Sequence, residues 1–214
     1  MDEASKSKRH YPDLFSKFIS GNILDIGAGI DPVHSSATVF DKPQGNAERI
    51  FDHYKKASFD TVFSSHCLEH ISDPSSTIKE WFELVKPGGI FFIIVPDEDL
   101  YEQGHFPSIF NNDHKATFTV SKEKSWSPVS LNCLDLANTL DGDIVYLKQQ
   151  SDNYNFKRLT FAKLGIQKFK IVNLILRFKK IKTFFQKVNL VPIDQTSLDS
   201  TVLAQICLII RKRN

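Results

Sequence analysis

The sequence predicts an open α/β fold on a mostly parallel sheet, and three stretches carry that prediction. Ile23-Leu24-Asp25-Ile26 is a short apolar strand that runs into a glycine turn, Gly27-Ala28-Gly29-Ile30-Asp31. Phe59-Asp60-Thr61-Val62-Phe63-Ser64 is a second apolar strand, followed by a helical pattern that stops at Lys86-Pro87-Gly88-Gly89. Ile90–Val95 is apolar at every position, as a strand covered on both faces should be. Strands in this order pair in parallel, and the loops leaving their carboxyl ends form a ligand crevice.

The remaining elements follow in order. Met1–His10 is polar and charged with no apolar stretch behind it, so no secretory signal is expected. Tyr11–Ile19 reads as a short helix or lead-in, and Gly21-Asn22 as a turn. Ala37–Phe40 is the predicted second strand, ending at Asp41 and followed by turn residues Lys42-Pro43-Gln44-Gly45-Asn46. Asp73-Pro74-Ser75-Ser76 is a helix start signal, and Ile78, Trp81, Phe82 and Val85 recur at helical spacing behind it. Pro96 to Ser127 is a long polar and aromatic segment. Such loops in compact domains are usually functional, and Tyr101, Phe106, Phe110 and Phe118 argue against disorder. Leu131–Leu140 reads as a helix, Ile144–Gln149 as a strand and Val202–Ile210 as the final strand. In all, the prediction is one domain over residues 1–214 with a sheet of about seven strands.

Composition narrows the class. A chain of 214 residues, 41% of them hydrophobic, can bury one sizeable core. No apolar run approaches the ~18 residues of a membrane span. Cys67, Cys133 and Cys207 form no CxxC, and their odd count fits a reduced, cytoplasmic setting rather than a disulfide framework. Residues 1–152 hold 23 acidic and 14 basic side chains, whereas residues 153–214 hold 2 and 13. The basic excess centres on an insertion at about 157–190. There Phe161, Leu164, Ile171, Ile175, Phe178, Ile181 and Phe185 fall at helical intervals among lysines and Arg177. A basic amphipathic helix of this kind suits an anionic membrane surface, or it packs on the sheet or in a homodimer interface with its lysines in solvent. No nucleic-acid partner is expected.

The glycine turn is the first candidate site. Gly27 and Gly29 lack Cβ, so the backbone can bend and lie against a ligand. A dinucleotide fingerprint needs a third glycine, and position 32 is Pro32, which counts against NAD. Asp41, at the end of the predicted second strand, is placed to accept from both hydroxyls of a ribose. A plain turn in any α/β protein would also contain these residues.

Taken together, the strand–glycine turn–strand order, Asp41 and the His66-Cys67-Leu68-Glu69-His70 loop resemble the class I S-adenosylmethionine-dependent methyltransferases, with their Rossmann-like sheet and last antiparallel strand. The resemblance covers residues 18–120 well and the C-terminal third more loosely. It implies that Asp25, Gly27 and Gly29 hold the methionine end of S-adenosylmethionine, that Asp41 binds the ribose, and that Ser65 and His66 line the cofactor edge. Glu69 and His70 would brace that loop. The pair that meets adenine in this family corresponds to Asn46-Ala47, only five residues after Asp41, so the usual intervening strand and helix are absent or compressed. Val95-Pro96-Asp97-Glu98-Asp99-Leu100-Tyr101-Glu102-Gln103-Gly104, Asn112-Asp113-His114-Lys115, Thr117-Phe118-Thr119 and Asp194-Gln195-Thr196 resemble a branch found with surface-polysaccharide (O-antigen or capsule) biosynthesis genes. That implies a sugar or glycan-linked acceptor in polysaccharide biosynthesis, met at the inner face of the membrane.

Methyl transfer to a hydroxyl needs a placed base, most often His or a carboxylate. His114 is the first candidate, because imidazole titrates nearest neutral pH. Asp97, Asp99 and Glu102 are the further catalytic candidates, and with Glu98 they could instead bind sugar hydroxyls or cap the loop. Three rival readings stand beside this one: a small-molecule methyltransferase of other metabolism, an inactive cofactor-binding module, and a zinc peptidase. The last comes from His66-Cys67-Leu68-Glu69-His70, which spells the inverted H-x-x-E-H motif. That motif must lie on a helix, whereas here it directly follows an apolar strand, so no metal is expected.

Overall fold

The computed structural model describes residues 3–159 and 192–214. Its centre is a six-stranded sheet in the order β2-β1-β3-β4-β8-β7. The strands are β1 (Ile23–Ile26), β2 (Thr38–Phe40), β3 (Phe59–Ser65), β4 (Val85–Pro96), β7 (Gly142–Gln150) and β8 (Gln205–Lys212). β2, β1, β3 and β4 run parallel, while β8 enters antiparallel between β4 and β7. The mostly parallel sheet with an antiparallel last strand is as the sequence predicts. Among the described residues it has six strands against the about seven expected, with a separate two-stranded ladder of β5 (Thr117–Thr119) and β6 (Ser130–Asn132).

Apolar residues on both faces of the central strands let helices cover the sheet twice. On one side Phe91, Ile93, Leu208 and Ile210 pack with α3 (Pro74–Glu83) through Ile78, Trp81 and Phe82. On the other, Phe63, Phe92, Ile94 and Ile209 meet Phe15 and Phe18 of α2 (Pro12–Phe18). Fully burying each such side chain contributes roughly 1.5–3 kcal/mol, so the two layers fix strand register firmly. Asp73 starts α3 by accepting from the Ser76 N–H, and Pro74 sits at its first position, where a missing N–H costs nothing.

The structure adds two local features to the sequence reading and corrects one. The polar N-terminus forms a helix, α1 (Glu3–His10), with Ala4, Lys6 and Ser7 buried. Residues 27–37 after the glycine turn form a loop, which Asp25 ties down by accepting from the Val33 N–H at 2.7 Å. The helix expected over 131–140 is shorter. Leu131 and Asn132 end β6, and Asn132 then caps α4 (Cys133–Asn138) through the Leu134 and Asp135 N–H groups. The basic amphipathic helix expected over residues 161–188 lies outside the described residues.

Candidate functional site

The order of the strands reverses at β1, with β2 on one side and β3 on the other, and the carboxyl ends of β1 and β3 open there into a cleft. Such a reversal is where open α/β sheets bind ligands. Two adjoining hollows share Gly27, His66 and His70. The first encloses about 830 Å³ including its solvent mouth and is lined by Asp25, Gly27, Gly29, Ser65, His66, Glu69, Tyr101 and His114, among others. The second is lined by Asp41, Asn46, Ala47, Cys67 and Lys115 among others.

The turn's glycines are required by geometry. Gly27 has φ +80° and its N–H is bound to the Phe40 carbonyl at 2.8 Å; a Cβ there would stand 2.5 Å from the Cys67 Cβ. Gly29 has φ +57° and donates its N–H to Asp41 Oδ2 at 2.8 Å. Asp41 Oδ1 accepts from the Lys42 N–H at 2.6 Å, so the carboxylate is fixed at the rim with lone pairs to spare. Beyond it the chain turns back on itself through the Gln44 and Gly45 N–H groups bonded to the Asp41 carbonyl. A 3₁₀ stretch, Ala47–Asp52, begins with Asn46 accepting from the Glu48 N–H. This is the compression the short Asp41-to-Asn46 spacing implies. The buried Trp81 indole N–H holds the Ala47 carbonyl at 2.9 Å and so anchors that edge of the cleft to α3.

His66 leaves β3 in the left-handed region, φ +52°. Burial disfavours its charge, but Glu69, Glu3 and Gln205 outweigh burial and raise it to about 9. The H-x-x-E-H run is not helical: only Leu68–His70 forms a single 3₁₀ turn after the strand, and the peptidase arrangement is not made. Burial lifts Asp25 to about 7, partly opposed by the Val33 N–H.

His114 arrives from the other side. The Lys115 and Ala116 N–H groups bond the Glu69 carbonyl at 2.8 and 3.3 Å, stitching the 111–116 loop onto the loop after β3. His114 is 6% exposed, and its Nδ1 lies 2.6 Å from Glu102 Oε1. His70 packs edge-on to it, ring centroids 5.0 Å apart, and Tyr101 lies 5.3 Å away. Glu102 therefore stands behind His114 and lines neither hollow.

Asp97 and Asp99 also stay out of the cleft. Asp97 caps the π-type turn Glu98–Glu102 by accepting from the Asp99 and Leu100 N–H groups, and its other oxygen accepts from Gln149 at 2.7 Å. Burial pushes it up to about 6 against those hydrogen bonds. Asp99 pairs with Lys122 at 2.5 Å and accepts from the Trp126 indole. Glu98 is fully buried and accepts from Thr117, Ser125, Ser130 and Lys122, tying the turn to β5 and β6. These three acids hold the 97–130 segment together instead of facing the cleft.

Glu3, Ala4, Asn111 and Tyr101, which have no site role in the sequence reading, all line the first hollow, with Thr196 from the late Asp194-Gln195-Thr196 run. Glu3 and Ala4 come from the unexpected α1, which no apolar stripe announces. Asn111 and Tyr101 sat in a loop whose side-chain directions have no periodicity to read.

A methyltransferase domain family matches residues 5–122, more than half of the chain. No curated protein matches the chain. Among solved structures, a candidate methyltransferase of Bacillus halodurans C-125 is 15% identical, with a TM-score of 0.55, covering 96% of this chain and 100% of that one. Haemonchus contortus phosphoethanolamine N-methyltransferase 2, in complex with phosphomonomethylethanolamine and S-adenosylhomocysteine, is 15% identical with a TM-score of 0.52; the match covers 96% of this chain and 53% of that longer one. A candidate sarcosine dimethylglycine methyltransferase of Galdieria sulphuraria is 12% identical with a TM-score of 0.51, over 98% and 86% of the two chains. At such identities the structures bear on the fold. With the family match over most of the sheet and both sides of its cleft, the chain belongs to the methyltransferase domain family.

Proposed function

We propose that this protein is an S-adenosylmethionine-dependent methyltransferase acting on a hydroxyl of a sugar or glycan-linked acceptor in surface-polysaccharide biosynthesis. The observation that carries the cofactor reading is the Gly27–Gly29 turn buttressed by Asp41. The turn leaves backbone against the cleft with no Cβ in the way, and Asp41 offers a carboxylate for two vicinal hydroxyls. Asp25, Ser65 and His66 border the methionine side, Asn46 and Ala47 the adenine side. The glycan acceptor rests on the sequence resemblance of residues 95–119 and 194–196.

The sulfonium carries its own activation, so the protein's work is to align the acceptor, exclude water and take one proton. His114 is the group for that proton: Glu102 occupies Nδ1, which leaves Nε2 for the acceptor hydroxyl. Tyr101 and Asn111 border the same space and can bind neighbouring hydroxyls.

Titration calorimetry with S-adenosylmethionine and S-adenosylhomocysteine tests the reading. The native protein should bind both, and Asp41→Ala should weaken each by about 10-fold or more through lost charged hydrogen bonds to the ribose. Native protein that binds neither overturns it. The acceptor class is tested by transfer of labelled methyl to nucleotide sugars and lipid-linked oligosaccharides; label confined to non-sugar metabolites overturns the glycan part.

A further inference from the structure

The richest group of side chains in the cleft is left partly unused by that chemistry. Glu69, His70 and His114 each present a ligand atom within 4.8 Å of the other two. Both imidazoles are anchored through Nδ1: His114 by Glu102 at 2.6 Å, His70 by the Asp113 carbonyl and carboxylate, each at 3.2 Å. That leaves Nε2 of both rings, and His70 Nε2 is 3.9 Å from Glu69 Oε1. Histidines that bind metal nearly always hold their second ring nitrogen in this way against a carboxylate or carbonyl. Glu69 supplies the second, independent sign. It is 1% exposed, and its Oε2 is buried without a partner. A buried carboxylate oxygen left bare in a native fold calls for a donor or a cation.

We propose that Glu69, His70 and His114 form a three-ligand site for a divalent transition-metal ion, with its remaining coordination position open to the cleft. Two imidazoles and a carboxylate suit Zn²⁺ and its neighbours rather than Mg²⁺ or Ca²⁺, and three protein ligands with an open position are the pattern of reactive rather than structural metal sites. Ligand atoms around a tetrahedral ion with ~2.1 Å bonds lie about 3.4 Å apart, so the trio, whose atoms lie within 4.8 Å of one another, must close by up to about 1.4 Å. His66 is outside the set, its Nε2 directed at Gln205, so the site is not the peptidase motif in another form. A bound ion and a proton on His114 Nε2 exclude each other. In the loaded protein His114 is a ligand, and the ion's open position faces the acceptor space.

The test uses chelator-treated full-length protein titrated with Zn²⁺ against a chromophoric chelator. One ion per chain is expected, with Glu69→Gln and His70→Ala each weakening it by at least 30-fold. Asp113→Ala changes only an exposed anchor of His70 and should weaken it several-fold, which keeps the test valid should a buried variant fail to fold. Absence of saturable binding overturns the proposal, as do variants that bind like the native chain, which would put the ion elsewhere. S-adenosylhomocysteine calorimetry on the same sample separates the two readings. Nucleoside binding without Zn²⁺ binding overturns only the metal site, and Zn²⁺ binding without nucleoside binding overturns only the methyltransferase function proposed above.

Discussion

His114 sits where it does because a backbone seam, not its own side chain, carries it: the Lys115 and Ala116 N–H groups bond to Glu69. Its ring is then oriented by Glu102. If Nε2 takes the acceptor's proton, His114→Ala should lower turnover by roughly 10²–10⁴-fold. Calorimetry on that variant should find cofactor affinity within about two-fold of native, since a base acts on the acceptor and not on the sulfonium. Glu102→Ala should cost less, because the base remains but is no longer held, and Glu102→Gln should recover part of the loss through its amide oxygen. Native rates in His114→Ala would return the residue to a structural role. At this scale the sequence was readable in types and not in directions. His114, Asp97, Asp99 and Glu102 all looked available in one dense acidic loop. Within a π-type turn no period of two or 3.6 says which side chain faces a cleft, and only folding turned Asp97 and Asp99 toward caps and ion pairs.

Elements were legible where burial alternates or recurs. β1, β3 and α3 lie within a few residues of their expected bounds because their apolar residues must meet a core on one or both faces, whereas β4 begins at Val85 rather than Ile90 and takes the Lys86-Pro87-Gly88-Gly89 run into the strand. α1 was not legible, since its buried residues are Ala4, Lys6 and Ser7 and its hold comes from Ser5 on Asp31 and Ser7 on Gln205. Nor was the start of α4, where Leu131 and Asn132 serve both a strand and a cap. The 97–130 segment is an element of its own kind, organised around one buried carboxylate. Glu98→Ala would leave the Thr117, Ser125 and Ser130 hydroxyls without this acceptor, while Lys122 would keep Asp99. An unsatisfied buried donor costs about 1–3 kcal/mol, so a loss of roughly 3 kcal/mol or more is expected in urea unfolding. Hydrogen exchange should rise over 117–132 first; unchanged protection there would show that the apolar contacts of Phe118 and Leu136 suffice.

For the whole molecule, the charge division is the main fact without a structural counterpart, since most of the basic stretch lies outside the described residues. Among those described, no helix is long and apolar enough to cross a membrane. We expect the acid-free, lysine-rich stretch of residues 161–188 to meet an anionic surface. Each Lys or Arg near such a leaflet contributes about 1 kcal/mol, so several give reversible attachment that salt weakens. Co-sedimentation should therefore show binding to anionic vesicles at low salt, less at high salt, and none to neutral vesicles. Negligible binding in every condition would assign the stretch to packing or to a homodimer interface, which sedimentation velocity would then reveal.

Gln205, at the start of the last strand, joins four parts of the chain on one amide. It donates to Ser7 Oγ and Gln150 Oε1 at 2.8 and 2.7 Å, and its oxygen faces His66 at 3.2 Å. The first helix, the edge strand, the final strand and the loop beside the glycine turn are thus fastened at a single point beneath the cleft. With Glu3 and Ala4 forming part of the cleft wall, α1 makes one side of the space a ligand would occupy. Because α1 is fastened through Ser5 to Asp31 and through Ser7 to Gln205, a substitution such as Ser7→Ala that loosens this fastening should alter that wall and with it the rate at which a ligand escapes.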